Sequence, residues 1–250
     1  YYSAWHYSCN NKYFNNKYKA IDEHNLSGQP VLFKEPEWYN NVNFSFDSPE
    51  DWEDILKNYC QEIRNNHKRI RIYFSGGIDS KLILDTFVKH KIYIDEIAVV
   101  KSGIPEYDFE LDDFAIPYLQ KIQHLIPPTK ITIQTSGIRD YYDLYVTMYW
   151  HEEISNRNVE PHLQLTTHMF EQKNLQREQD TINIYGKEKP RIVWYQNEWW
   201  TYFLDNIVEP SQKDLQCRLN FYIDNPYINM KQCQMLAKHI EKNFQPEQYN

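Results

Sequence analysis

Glycine is scarce, with 6 residues in a chain of 250. Two of them stand side by side, Gly76-Gly77, which marks a place where the backbone needs freedom that other residues lack. The four cysteines, Cys9, Cys60, Cys217 and Cys233, are widely spaced and form no C-x-x-C. That excludes a zinc ribbon or an iron–sulfur site and favours reduced thiols. No apolar run approaches the roughly 18 residues of a membrane span, and no signal-peptide pattern is visible, so a cytoplasmic location is expected. Positive charge is also in deficit: 27 Lys and Arg face 35 Asp and Glu, for a net charge of -8. A protein that grips duplex DNA shows a basic stripe. Here basic residues cluster only locally, at His67-Lys68-Arg69 and from Lys187 to Arg191. Extensive nucleic-acid binding is not expected, while a small basic ligand pocket remains compatible with the acidic balance. Neither G-x-x-x-x-G-K-[ST] nor G-x-G-x-x-G occurs, so the two commonest glycine-rich phosphate fingerprints are absent.

What is present suffices for a sizeable core, since 41% of residues are hydrophobic. Residues 1–47 lack a sustained period and read as an N-terminal extension packed on the core, with a short strand at Val31-Leu32-Phe33. Ser48-Pro49-Glu50-Asp51 has the form of a helix start, with Ser48 as the cap and Pro49 in the first position. Trp52, Ile55, Leu56, Tyr59 and Ile63 follow at helical spacing, to an end near Asn66. Strands are predicted over 69–75, 93–100, 131–135 and 181–185. Helices are predicted over 79–90, from Ala115 to Leu125 with Pro117 in the first turn, over 139–151 and over 162–172. This alternation implies a parallel sheet covered on both faces, with right-handed crossovers: a doubly wound α/β domain over 48–205. Arg191–Gln196 and Trp199–Leu204 read as a hairpin with Asn197-Glu198 at its turn. Residues 206–250 read as a C-terminal helical extension, with Met230, Cys233, Leu236, Ala237 and Ile240 on one face.

The segment that carries chemistry is Ser75-Gly76-Gly77-Ile78-Asp79-Ser80, between a strand and a helix. Backbone N–H groups are left free at a helix N-terminus, at the positive end of its dipole, which suits an anion. Paired glycines let a phosphate approach without a Cβ in the way. Ser75 and Ser80 add hydroxyls. Asp79 would repel bare phosphate and makes sense with Mg2+ between them. The same hexapeptide also reads as a tight turn with no ligand.

This loop resembles the pyrophosphate loop of the PP-loop ATP pyrophosphatase superfamily, and the likeness extends over about residues 68–190. The resemblance implies a five-stranded parallel sheet of the HUP type, in the order 3-2-1-4-5. It implies ATP and Mg2+ as ligands, cleavage of ATP between the α and β phosphates, and transfer of AMP to a carboxylate, carbonyl or amide-like oxygen. A nitrogen or sulfur nucleophile then displaces AMP. Ser75, Gly76, Gly77, Ile78 and Ser80 would hold pyrophosphate, and Asp79 would contact the metal and act in catalysis. The end of the second strand, at Val99, Val100 and Lys101, would read adenine; plain strand core is the other reading. The fourth strand is expected beside the first, so Lys187, Lys189 and Arg191 would open next to the loop and reach phosphate oxygens, with Lys189 as a second catalytic group. A solvated basic turn is the alternative there.

The subfamily signatures are missing. No N-terminal nucleophilic cysteine, reductase-type cysteine motif, zinc-binding cysteine cluster or paired thiols occurs. The segments 189–204 and 230–239 are similar to uncharacterised PP-loop proteins of large tailed bacteriophages, which implies a host-cytoplasmic location. Expected partners are ATP, an unidentified small-molecule or nucleobase acceptor, and a separate nitrogen or sulfur donor protein; a homo-oligomer is compatible. A nucleotide-binding module without turnover and a structural or interaction protein that keeps the fold are the competing readings. Cys60 and Cys217 read as core residues or as sulfur carriers. Glu110, Asp112 and Asp113 read as an exposed helix N-terminus or as ligands for a metal or an amine. Tyr141, Tyr142, Tyr145 and Tyr149 suit packing on one helix face. Trp194, Trp199 and Trp200 suit a buried platform or a docking surface.

Overall fold

The computed structural model describes residues 6–14, 17–43, 48–135, 180–186, 189–195, 198–202 and 218–243. The helices expected over 139–151 and 162–172, the tyrosines of the first, and Cys217 and Lys187 all lie outside them. The N-terminal stretch forms a small antiparallel sheet of β1 (His6–Cys9), β2 (Lys12–Phe14) and β3 (Leu32–Lys34), ordered β2-β1-β3. Helices α1 (Lys17–Ser27) and α2 (Glu37–Asn40) accompany it. It does pack on the rest of the molecule: Tyr7 and Ala20 bury against Ile223, with Phe33 and Tyr39 around them.

Helix α3 (Trp52–Asn66) ends where its apolar spacing ends and buries Ile55, Leu56, Tyr59, Cys60 and Ile63. Its start differs from the sequence reading. Asp51, in an extended conformation, occupies the cap position without a side-chain cap bond. Ser48 forms a separate turn, its hydroxyl accepting the Glu50 N–H at 3.4 Å while its carbonyl accepts Lys231 Nζ at 2.8 Å. A local cap has given way to a tertiary bond.

The central sheet holds β4 (Arg69–Tyr73), β5 (Glu96–Lys101), β6 (Lys130–Thr135), β7 (Thr181–Tyr185) and β10 (Arg218–Asn220). Among the described residues its order is β10-β7-β4-β5-β6, with every neighbouring pair parallel. β7 matches the sequence reading residue for residue. β5 begins at Glu96 rather than Tyr93, and Asp95 before it uses its carboxylate on two neighbours, accepting the Ile70 N–H of β4 at 2.8 Å and Arg64 Nη1 of α3 at 2.6 Å. The fifth strand, β10, comes from the stretch read as a helical extension. Helix α7 (Pro226–Asn243) follows it.

Helix α4 (Ile78–Lys89) follows β4. After β5 the chain is helical earlier than expected: α5 (Pro105–Glu110) runs into a π turn at Leu111–Ala115 and then α6 (Ile116–Ile122). The π turn explains how Pro117 is accommodated. The Ile116 N–H reaches back to the Leu111 carbonyl, a widened turn that relieves the carbonyls from a normal bond to the missing Pro117 N–H. In the hairpin of β8 (Arg191–Tyr195) and β9 (Glu198–Tyr202), Tyr195 pairs with Glu198. Glu198 is therefore a strand residue and not part of the turn, as a two-residue hairpin connection requires.

The two faces of the central sheet differ. One is apolar: Ile70, Ile72, Phe74, Ile97, Val99, Ile182 and Ile184 share a core with Ile83, Leu84, Phe87, Leu119 and the buried face of α3. The other carries a polar belt. Arg71 pairs with Glu96, with Nη2 at 2.7 Å and Nε at 2.8 Å from one carboxylate oxygen, and Nη1 lies 3.3 Å from Asn183 Oδ1. Thr132 donates to the other Glu96 oxygen at 2.5 Å. Arg71, Glu96 and Asn183 are all buried. Parallel sheets covered on both faces usually read as continuous apolar runs, and this one does not. Among the described residues no helix is long and apolar enough to cross a membrane.

Candidate functional site

β4 lies between β5 and β7 and runs parallel to both. The segments that leave the three strands therefore emerge at one carboxyl edge of the sheet, where open α/β sheets bind ligands.

After β4, Gly76 takes φ +80, in the left-handed region that favours glycine. A Cβ on it would stand 3.0 Å from Ala115 Cβ and 3.2 Å from Ala115 N. The π turn thus presses directly on the loop. Gly77 is the cap of α4, extended at φ -66 and ψ 158. A Cβ there would meet only Ser75 Oγ, at an ordinary 3.5 Å. The protein's own packing therefore requires glycine at 76 and does not require it at 77.

Ser80 is buried, and its hydroxyl works inside the loop. It accepts the Ser75 N–H at 3.2 Å, donates to the Gly77 carbonyl at 3.1 Å and lies 3.1 Å from Ser75 Oγ. Ser75, Gly77 and Ile78 are exposed. Lys81 pairs with Asp85, which also accepts the Tyr118 hydroxyl, and the Lys81 ammonium lies 4.5 Å from the centre of the Tyr118 ring. Burial, and then the bond to and charge of Asp85, push the Tyr118 phenol well above its ordinary pKa.

The exit from β7 meets the loop directly. A Cβ on Gly186 would stand 2.9 Å from Ser80 N and 3.0 Å from the Asp79 carbonyl carbon. Three residues on, Lys189 Nζ is ion-paired with Asp79 Oδ1. Arg191 is exposed at the start of β8. From the far end of the chain, the buried Tyr222 donates its hydroxyl to the Asp79 carbonyl at 2.8 Å. Burial, and then the Asp79 charge, raise that phenol's pKa, so it stays a donor. Sequence reasoning places Gly186 at the head of the stretch to Arg191 that opens beside the loop, without giving it a role of its own, and it missed Tyr222. Tyr222→Phe is expected to lower stability by about 1 kcal/mol, the usual net value of one hydrogen bond, as read by urea unfolding with the circular dichroism spectrum unchanged.

At the end of β5, Val99 is core, while Val100 and Lys101 pair with Gln134 and Thr135 of β6. Lys101 Nζ lies 2.7 Å from both oxygens of Asp112. Asp112 and Asp113 sit in the π turn and Glu110 ends α5, so none of the three is at a helix N-terminus. The turn after β5 is fixed by the buried Asp108, which accepts the Ser102 N–H at 2.7 Å, the Gly103 N–H at 2.8 Å and the Ser102 hydroxyl at 2.9 Å. Sequence reasoning missed Asp108 as well.

Among the described residues no three His, Cys, Asp or Glu side chains cluster as a metal site. Magnesium that arrives with nucleotide phosphates needs only one or two carboxylates, and the part-exposed Asp79 at the loop fits that demand. Cys60 is fully buried, and burial pushes its thiol well above the ordinary value, which suits core packing and not sulfur transfer. A concavity of about 980 Å3 over the N-terminal sheet, lined by His6, Cys9, Asn10 and Tyr13 among others, contains none of the loop and phosphate-site residues expected from the sequence. The chain matches no protein-family model and no curated protein.

Proposed function

We propose that the protein binds ATP with Mg2+ on the 75–80 loop and acts as an AMP-forming enzyme of the PP-loop ATP pyrophosphatase type. The observation that carries this reading is the contrast between the two loop glycines. Gly76 is demanded by the contact with Ala115, whereas Gly77 faces no backbone of the protein itself. A side chain is thus missing from the exposed mouth of α4 for a reason other than internal packing, and approach of a phosphate supplies one. The sheet order also supports the reading, since counting the strands of the described residues along the chain turns β6-β5-β4-β7-β10 into 3-2-1-4-5.

In this reading the free N–H groups of Gly77, Ile78 and Asp79 hold the β and γ phosphates, and Ser80 braces the loop beneath them. Asp79 would hold the metal, which would supply neutralisation of the charge on the departing pyrophosphate. Lys189, with Lys187 and Arg191 from the same connection, serves the phosphate oxygens. The end of β5, at Val100 and Lys101, is offered to adenine through its backbone. An acceptor oxygen attacks the α phosphorus, the α–β bridge bond breaks, and pyrophosphate leaves on the loop. Amidation or thiolation of the resulting acyl or imidoyl adenylate needs a separate nitrogen or sulfur donor. A nucleotide-binding interaction protein is the rival reading, favoured by the exposed Val193, Tyr195, Trp200 and Tyr202 on the hairpin.

Calorimetric titration with a non-hydrolysable ATP analogue and Mg2+ tests the proposal. Wild type is expected to bind, and Gly77→Val to lose at least about tenfold in affinity, about 1.4 kcal/mol, while its stability falls by no more than about 1 kcal/mol, the cost of a poorer cap residue. Absence of binding by wild type removes the nucleotide reading.

A further inference from the structure

The Lys189–Asp79 ion pair joins the two groups with the most opposed tasks at this site. Asp79 is the carboxylate offered to a divalent cation, and Lys189 is the ammonium offered to phosphate. In the structure each occupies the other. We propose that this pair is an autoinhibitory contact. An incoming divalent cation must take Asp79 from Lys189, and the displaced ammonium is then delivered to the phosphates that accompany the metal. The inference rests on the reading of Asp79 as the metal-binding carboxylate of the loop.

The surrounding structure makes the exchange a local one. Gly186 is seated against the backbone of Asp79 and Ser80, and Pro190 is buried. Gly186 therefore holds the exit of β7 close to α4, and the residue before a proline is held near extended backbone. The two side chains themselves are 41% and 32% exposed. They form a pair that water reaches, and such pairs are weak enough to be exchanged by a competing cation. Tyr222 grips the backbone carbonyl of Asp79, not its carboxylate, so the carboxylate turns to a metal without disturbing the helix. Without metal, an approaching polyphosphate meets a neutralised pair. With metal, it meets a divalent cation and a released ammonium. Selection for the metal complex over free nucleotide is built into the contact.

The probe is Mn2+ alone, with free ion counted by electron paramagnetic resonance, on the full chain without nucleotide. Lys189→Met is expected to bind Mn2+ about threefold to fivefold more tightly than wild type, the scale on which a solvent-exposed pair competes. Lys189→Gln should reproduce the gain, which separates loss of the charge from any effect of the methionine side chain. Asp79→Asn and the double variant Asp79→Asn/Lys189→Met should both lose the site. Equal Mn2+ affinity in wild type and in both Lys189 variants overturns the proposal. So does a Lys189→Met gain that survives Asp79→Asn. The outcome is separable from that of the nucleotide reading. An ATP analogue that binds wild type while Mn2+ affinity ignores Lys189 sinks this inference alone. A Mn2+ gain without analogue binding leaves the pairing intact and removes the nucleotide.

Discussion

Gly186→Val is expected to abolish binding of the ATP analogue and to destabilise the protein by about 3 kcal/mol or more, the upper range for forcing new atoms into a packed region. The collision has no soft side. The nearest atoms to a Cβ at this position are the backbone N of Ser80 at 2.9 Å and the backbone C of Asp79 at 3.0 Å. No flexible side chain can yield, so either β7's exit or the first turn of α4 must move, and both belong to the site. Gly186→Ala should show a reduced form of the same defect, about 1–3 kcal/mol. Gly77→Ala is the control. Its Cβ meets only Ser75 Oγ at 3.5 Å, so the loss should be limited to about 0.5–1 kcal/mol, the cost of a poorer residue at the cap of α4. Urea unfolding of the three variants gives the ranking. Equal stability of Gly186→Val and Gly77→Ala would refute the close approach.

Glu96→Leu should cost about 3–5 kcal/mol, because it leaves the buried Arg71 guanidinium without its carboxylate. The double variant Arg71→Met/Glu96→Leu should recover most of that loss, since replacing both members of a buried pair by apolar residues is often neutral. A double variant as unstable as the single one would show that the belt around Asn183 and Thr132 cannot tolerate apolar substitution. The pair also sets a pH dependence. Burial pushes the Glu96 carboxyl up, but the bonds from Thr132 and Arg71 and the charges of Arg71 and Lys130 outweigh it, and the folded-state value lies below the ordinary one. A carboxyl depressed on folding contributes its full stabilisation above the unfolded value of about 4.3 and loses it as pH falls through the lower folded value. Wild type should therefore lose stability on acidification below about pH 4.3 more steeply than the double variant, as measured by urea midpoints across that range.

Where local pattern decides the structure, the sequence is a good guide. Thr181–Tyr185 alternates Ile182 and Ile184 with more polar residues at β spacing, and it is the strand β7 with those bounds. The end of α3 at Asn66 follows from where Ile63 closes the apolar stripe. The 75–77 turn between β4 and α4 follows from the paired glycines. What failed is what long-range partners decide. Ser48 has every local mark of a cap, yet Lys231, far along the chain, holds its carbonyl elsewhere. β10 spans Arg218, Leu219 and Asn220 and has no period of its own; only its register with Asn183, Ile184 and Tyr185 makes it a strand. A glycine that follows a strand reads as an ordinary turn, and nothing local marks Gly186 as the point where two backbones meet. Arg71 and Glu96 look like strand residues on a polar face, and only the side-by-side placement of β4 and β5 turns them into one buried pair.

The Tyr222 bond also sets the order in which the molecule can be finished. Asp79 and its brace stand 143 positions apart. At about 5–20 residues per second, roughly 7 to 30 s of synthesis separates them on the ribosome. During that interval β4, α4 and the 75–80 turn are already made, yet the hydroxyl that clamps them has not been translated, and β10 is missing from the sheet edge beside β7. Contacts of such span are the ones that slow folding. A nascent chain therefore carries a recognisable loop well before it carries a completed one, and the clamped form of the loop should appear only after Tyr222 has been translated.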